Sequence, residues 1–437
     1  MFLVLSNTWP LLLGMGLIML GNGLQGSLLG VRAALEGFGT SITGVIMSGY
    51  YIGLIFGCWL APKMLARVGH IRIFGALASL ASASILFQAV FVNPWVWLAM
   101  RLVTGFSYAG IYIVAESWLN DASENDSRGQ LLSVYMLVSL GGSAGGQFLL
   151  NIALPTGFEL FVLVSVLVSL ALIPILTSVT KAPSFDVYES VGILQLYRVS
   201  PIGIVGMFIT GMTVGGIFGM GAVYSTEIGM SVQDVSIFMG TIILGGFLFQ
   251  YPLGWISDRI GRRSIIIFCS VMGGAVSFFA MIYSEQGILL FGITAAIGGL
   301  SMPIYSLCSA QTNDYLTPQQ MVAASGTLVL VNSIGAAIGA PAVAVSMEFF
   351  GPRAFYGSLG TMMSLIALYA LWRSTQRADI AAEDRGDFVV MIPTPMSASH
   401  TLDVDPEAVE AAVAENADDV QASFEELTAE LQNLDTE

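Results

Sequence analysis

Long apolar runs, separated by short polar or glycine- and proline-bearing stretches, recur along the chain as far as Trp372. Each is about 20 residues long, the length a helix needs to cross the hydrocarbon core of a bilayer. Twelve can be marked: 8–29, 41–61, 71–92, 95–118, 129–150, 158–179, 201–223, 235–256, 264–283, 287–310, 321–347 and 354–373. The pattern predicts an all-α integral membrane protein with twelve transmembrane helices.

The runs repeat at a fixed offset. Pro10 corresponds to Pro201, Gly26 to Gly219, Gly69 to Gly261, and Asn120-Asp121 to Asn313-Asp314. Gly142 and Gly146 correspond to Gly335 and Gly339, and every pair lies 191 to 193 residues apart. One such match is chance, but a register held through helices and loops alike marks a duplication. The predicted domains are a six-helix bundle over 1–179, a linker over 180–200, and a second six-helix bundle over 201–373. Duplicated halves with a midplane site between them are what alternating-access transporters use.

Composition agrees with lipid as the solvent. Of 437 residues, 55 % are hydrophobic and 10 % charged, and the mean hydropathy is +0.79. If the N-terminus is placed in the cytoplasm, twelve of the fifteen basic residues fall on the cytoplasmic side, all but Arg32, Arg101 and Arg353. That is the positive-inside bias, and all seven tryptophans sit at predicted span ends, in the headgroup zone. The expected location is a bacterial inner membrane, multi-pass, with both termini cytoplasmic. The N-terminus lacks a basic leader and reads as a first span.

Net charge is −15, but the stretch from Ser374 onward holds 16 acidic and two basic residues, so the acidity belongs to a tail over 374–437. There Asp405 and Pro406 open a predicted amphipathic helix over 406–434, with Val413, Val420, Leu427 and Leu434 repeating every seven residues. This tail could contact the cytoplasmic loops or a soluble partner. Cys58, Cys269 and Cys308 lie in or beside apolar runs and read as packing residues.

Between spans eight and nine stands "GWISDRIGRRS", residues 254–264. Its Gly254-x-x-x-Asp258-Arg259-x-Gly261-Arg262-Arg263 resembles the G-x-x-x-D-R-x-G-R-R loop of the major facilitator superfamily. "RLVTGFSYA" from Arg101 resembles that superfamily's fourth-helix motif, with Thr104 for glutamine. "GGSAGG" over 141–146 resembles the fifth-helix antiporter motif, with Gly142 for proline, a departure that weakens antiport. The run from "SGYYIG" to "ESWLND" is most similar to the YcaD-like bacterial branch. This resemblance implies the major facilitator fold over residues 1 to about 375. The first-half loop "PKMLARVGHIR", residues 62–72, puts Ala66 where the second half has Asp258. The usual first-half carboxylate is therefore missing, and Glu116 is the candidate to replace it. The expected cytoplasmic gate comprises Arg67, Arg72, Glu116, Arg128, Asp258, Arg259, Arg262, Arg263 and Asp314.

Arg101, Gly105, Tyr108, Tyr112 and Glu116 fall within about 80° of arc on one face of the fourth helix. In lipid each polar group would be costly, so this face looks inward. Tyr112 maps onto Tyr305, whereas Arg101 and Glu116 map onto the uncharged Thr294 and Ser309. Candidate cavity residues are Asn22, Gln25, Arg101, Tyr108, Tyr112, Gln147, Gln250, Tyr305 and Asn332, with Tyr50 and Tyr51 as further polar positions. For Asn22, Gln25, Tyr50, Tyr51, Gln147, Gln250 and Asn332 taken singly, packing or helix–helix hydrogen bonding is the favoured role over solute contact. Bends are expected at Gly145-Gly146, Pro303 and Pro341.

A secondary active transporter of a small solute, an exporter with proton coupling open, is the leading expectation. Glu116 is the candidate proton carrier, but its place at the cytoplasmic edge favours a gate latch. No G-x-x-x-x-G-K-[ST] run is present for ATP hydrolysis. An enzyme is disfavoured because His70 and His400 join no nucleophile or metal cluster; no cofactor, metal or nucleic acid is expected, and the chain reads as a monomer. The alternative is a non-transporting sensor that signals through its tail. Tyrosines suit a drug-like or sugar-like solute, and the single arginine hints at an anion.

Overall fold

Lipid offers the backbone no hydrogen-bond partner, so an apolar run that crosses it must satisfy its own N–H and C=O groups, which a helix does. A computed structural model describes residues 2–122, 125–177, 191–283 and 287–376, and among them all regular structure is helical. The helices are α1 (Phe2–Leu35), α2 (Thr40–Val68), α3 (His70–Val90), α4 (Pro94–Ala122), α5 (Asn125–Leu149), α6 (Glu159–Leu170), α7 (Leu172–Leu176) and α8 (Ile193–Val199). They continue with α9 (Pro201–Glu227), α10 (Val232–Ile260), α11 (Arg262–Ile282), α12 (Ile288–Ser301), α13 (Pro303–Asn313), α14 (Pro318–Phe350) and α15 (Ala354–Ser374). Eleven stretches among the described residues are long and apolar enough to cross a membrane.

Differences from the predicted spans have local causes. The tenth span is two helices, α12 and α13, because Pro303 has no N–H to continue the ladder. The sixth breaks at Ala171, ahead of Pro174, which the sequence reading did not anticipate. By contrast α14 runs unbroken through Pro341 and α5 through Gly145-Gly146. Helix α5, the expected fifth span, is not among the eleven; the side chains of 125–130 and 132 lie outside the described residues, which leaves 133–149 as its longest described run. Part of the expected linker is the short helix α8, and Pro201 then opens α9 at a position where a missing N–H costs nothing. Residues 178–190 and the acidic tail beyond residue 376 lie outside the described residues.

The duplication reappears as packing. In the first half α1 packs on α5, α2 on α4 and α3 on α6; in the second, the equivalents α9 on α14, α10 on α12 and α11 on α15. Glycines make these approaches close. A Cβ on Gly105 would overlap the Tyr50 carbonyl, and one on its equivalent Gly298 would overlap the carbonyl of Ile242, the equivalent of Tyr50. Small residues let helices approach backbone to backbone in lipid, where hydrophobic force cannot drive association. Gly69 and Gly261 match for another reason. Each lets the chain turn directly from one helix into the next, at φ 88° and 119°, a region that favours glycine.

The halves meet through α1 on α9, α2 on α14 and α5 on α10. Many of these contacts gather at the end of the bundle remote from the 62–72 and 254–264 loops. There Thr40 Oγ1 donates to Glu227 Oε1 at 2.8 Å, and the Ser41 amide donates to Glu348 Oε2 at 3.0 Å. Asn151 Nδ2 donates to Ser236 Oγ at 3.0 Å. Gly44 is pressed against Ala340 and Ala344, where a Cβ would find no room.

Candidate functional site

Between the halves lies a cavity of about 250 Å³. From the first half α1 supplies Asn22, α2 Tyr50 and Tyr51, α4 Arg101 and Tyr112, and α5 Tyr135 and Gln147. Opposite them stand Gln250 of α10, Tyr305 of α13 and Asn332 of α14, with Met19, Met239 and Met302 among the apolar wall. Of the nine cavity residues expected from sequence, seven line this space. Gln25 and Tyr108 do not: Gln25 is buried against Gln88 at 3.5 Å, and Tyr108 is packed between two other rings.

Arg101 is 6 % exposed. Its guanidinium lies 4.8 Å from the centre of the Tyr50 ring. Tyr50 meets Tyr51 edge-on at 5.4 Å and Tyr108 at 6.1 Å, and Tyr108 meets Tyr112 at 6.0 Å. The helical stripe on α4 and the tyrosine pair on α2 are thus one continuous aromatic wall with a cation on it. Such a cation–ring contact is worth roughly 0.5–2 kcal/mol. It does not neutralise the charge.

The amides have largely committed their donors to neighbouring helices. Gln147 Nε2 donates to the Gly23 carbonyl at 2.9 Å, while its Oε1 accepts from Ser27 Oγ. Gln250 Nε2 donates to Ser306 Oγ at 2.6 Å and Asn332 Nδ2 to the Met207 carbonyl at 3.1 Å. Asn22 Nδ2 donates to Tyr112 Oη at 3.2 Å. Replacing Gln147 with Leu strips partners from both Ser27 and Gly23 and is expected to destabilise the protein by about 1–3 kcal/mol. Asn332→Leu strips one carbonyl and should cost less; unfolding of the two variants in mixed micelles would show the order.

At the ends that carry the 62–72 and 254–264 loops the halves differ. In the second half Arg262 Nε donates to Asp314 Oδ2 at 2.6 Å and its Nη1 to Asp258 Oδ1 at 3.0 Å, tying α10, α11 and α13 together. Arg259 stacks on Trp255 at 3.4 Å. Arg263 is buried beside Gln311, Tyr315 and Arg373. In the first half the residue equivalent to Arg262 is His70, whose Nε2 shares a hydrogen bond of 3.0 Å with Ser117 Oγ. Glu116 is fully buried and accepts from Tyr135 Oη at 3.3 Å. Arg67 and Arg72 are exposed and form no ion pair with it among the described residues, so the loop-arginine partners expected for Glu116 are not these two. Arg128 belongs to α5, but its side chain lies outside the described residues.

Sequence reasoning missed two features. Tyr135 joins the cavity to Glu116, and with Ser139, Ser143 and Gln147 it forms a polar stripe at four-residue spacing on the cavity face of α5, which was the available signal. His70, set aside as a loop residue, starts α3 and is 2 % exposed. Its alignment with Arg262 was the available signal.

Residues 203–402 match the family described as Major Facilitator Superfamily, and residues 31–191 match Sugar (and other) transporter. The "Uncharacterized MFS-type transporter YcaD" of Escherichia fergusonii is 24 % identical over 371 residues, which covers 84 % of this chain and 95 % of the relative. Among solved structures, the nucleoside transporter NupG superposes with a TM-score of 0.70 at 14 % identity, covering 84 % of this chain and all of that one. An inward-facing, occupied bacterial homologue of the human lysosomal transporter Spinster gives a TM-score of 0.64 at 15 % identity over 86 % of this chain and 97 % of that one. Family matches in both halves and relatives alike over most of the length agree with the loop motif and the repeated packing: the chain is similar to membrane transporters of the major facilitator superfamily, YcaD-type proteins among them.

Proposed function

We propose that the protein is a secondary active transporter that exports a small solute across the bacterial cytoplasmic membrane by alternating access. The observation that carries this reading is the cavity of about 250 Å³ between the halves, sealed on one side by Thr40, Gly44 and Ser41 against Glu227, Ala344 and Glu348. In this reading α5 is the twelfth span, and residues 1–179 and 201–373 move as two six-helix bodies joined by the 180–200 linker. The positive-inside bias puts the basic loops and both termini in the cytoplasm. The sealed end is then the outer one, and solute enters the cavity from the cytoplasm.

Without a nucleotide-binding run, the energy comes from a gradient, and protons are the proposed driver. Glu116 is proposed as a latch. Buried behind Tyr135 and absent from the cavity lining, it holds the ring that faces the solute. Proteoliposomes loaded with a solute panel, with and without a pH gradient, test the reading. Gradient-dependent flux is expected, and Glu116→Gln is expected to slow it while leaving the gradient dependence intact. Loss of that dependence alone would make Glu116 the carrier instead. No flux for any solute would remove the transport reading.

A further inference from the structure

We infer that the cavity selects an amphipathic organic monoanion, a compact aromatic or short-chain carboxylate whose charged end docks on Arg101. The inference rests on the cavity being the solute site. A guanidinium stays protonated in any protein environment, and a charge taken out of water requires a counter-charge or hydrogen bonds. Among the described residues Arg101 has neither: it is surrounded by tyrosines, with the face of Tyr50 at 4.8 Å, and its buried Nε has no hydrogen-bond partner. No aspartate or glutamate is among the described residues that line the cavity. Glu116, the buried carboxylate on the same helix, is about 22 Å away along the axis and lies behind Tyr135.

The Tyr50 ring takes up one side of the guanidinium without using its N–H groups, which leaves them for a carboxylate in the fork geometry that favours arginine over lysine. Around it, Tyr51, Tyr112, Met239 and Met302 offer rings and thioethers to an apolar body. The volume, about 250 Å³, falls below the roughly 300–1,000 Å³ of drug-sized sites, so that body is a single ring or a short chain. Two other solute classes fit less well. A sugar needs a ring of side-chain donors, yet Gln147, Gln250 and Asn332 each give at least one N–H to protein atoms. A cation would meet Arg101 with no lining carboxylate to offset it.

The test uses the full-length protein in nanodiscs and two matched sets of probes: benzoate with benzamide and benzylamine, and hexanoate with hexanamide. Calorimetry is expected to show each carboxylate binding at least about tenfold tighter than its amide, and Arg101→Gln to collapse the ratio to about one. Arg101→Lys should keep part of the preference, as a point charge without the fork. The wild-type ratio stands even if the glutamine variant fails to fold. Equal affinities, tighter binding of an amide or of benzylamine, or no binding of either carboxylate overturns the inference. Counterflow of the same probes in proteoliposomes separates this from the transport reading. Selective carboxylate binding with no flux of any solute would sink transport and leave the anion site. Flux of glucose or benzylamine in preference to benzoate would do the reverse.

Discussion

Asparagine in place of Asp314 is expected to destabilise the protein by about 3–5 kcal/mol, the scale of breaking a buried ion pair from one side. The side chains of Arg262 and Asp314 are 1 % and 5 % exposed, so removing this carboxylate charge leaves a buried cation to its more exposed partner Asp258. Asp258 touches the same guanidinium but is 33 % exposed. Asp258→Asn is therefore expected to cost about 1 kcal/mol or less. A double change of Arg262→Met with Asp314→Leu should recover much of the loss, since well-packed apolar groups often equal or exceed a buried pair. Reversible unfolding of the three proteins in mixed micelles measures the differences. If Asp314→Asn and Asp258→Asn lost the same small amount, Arg262 would not depend on the buried carboxylate.

Valine at Gly105 or at Gly298 is expected to cost about 3 kcal/mol, the upper end of overpacking penalties. At both positions the new Cβ meets a backbone carbonyl of the neighbouring helix, Tyr50 or Ile242, and backbone cannot swing aside as a side-chain tip can. The gain in helix propensity on leaving glycine, below about 1 kcal/mol, does not offset this. Gly292 lies on the same helix as Gly298 with open space around it. Gly292→Val should therefore change stability by about 0.5 kcal/mol or less. Similar losses at all three positions, read from the same unfolding measurement, would mean that propensity and not close approach governs these glycines.

What the sequence made legible was what periodicity and duplication can carry. Arg101 and Tyr112 stood out because polar groups at helical spacing inside an apolar run have a direction, and Tyr305 followed by register. The cavity unites all three. Gln25 obeyed the same pattern, yet its partner is Gln88, 63 residues away, and no local signal says which of two inward-facing amides meets protein and which meets solute. Tyr135 was legible in the same way, since Ser139, Ser143 and Gln147 follow it at four-residue spacing on the same face of α5; serines are weak polar markers, and they mask that period. Prolines were read unevenly. Pro303 ends one helix and starts another, whereas α14 carries Pro341 without a break. The missing N–H is the same in both; tertiary packing decides whether the ladder restarts, and packing is not local.

The seal remote from the 62–72 and 254–264 loops also bears on the balance of conformations. Its Thr40–Glu227 and Ser41–Glu348 hydrogen bonds are exposed, so water replaces each as it breaks, and they hold the two halves only weakly. A ligand that prefers one of two conformations by about a hundredfold shifts their balance enough to overcome so weak a hold. The polar part of the seal is thus within reach of the discrimination of a single well-placed ion pair. Strengthening it with a second carboxylate contact would leave the molecule resting in one conformation even when a ligand is bound.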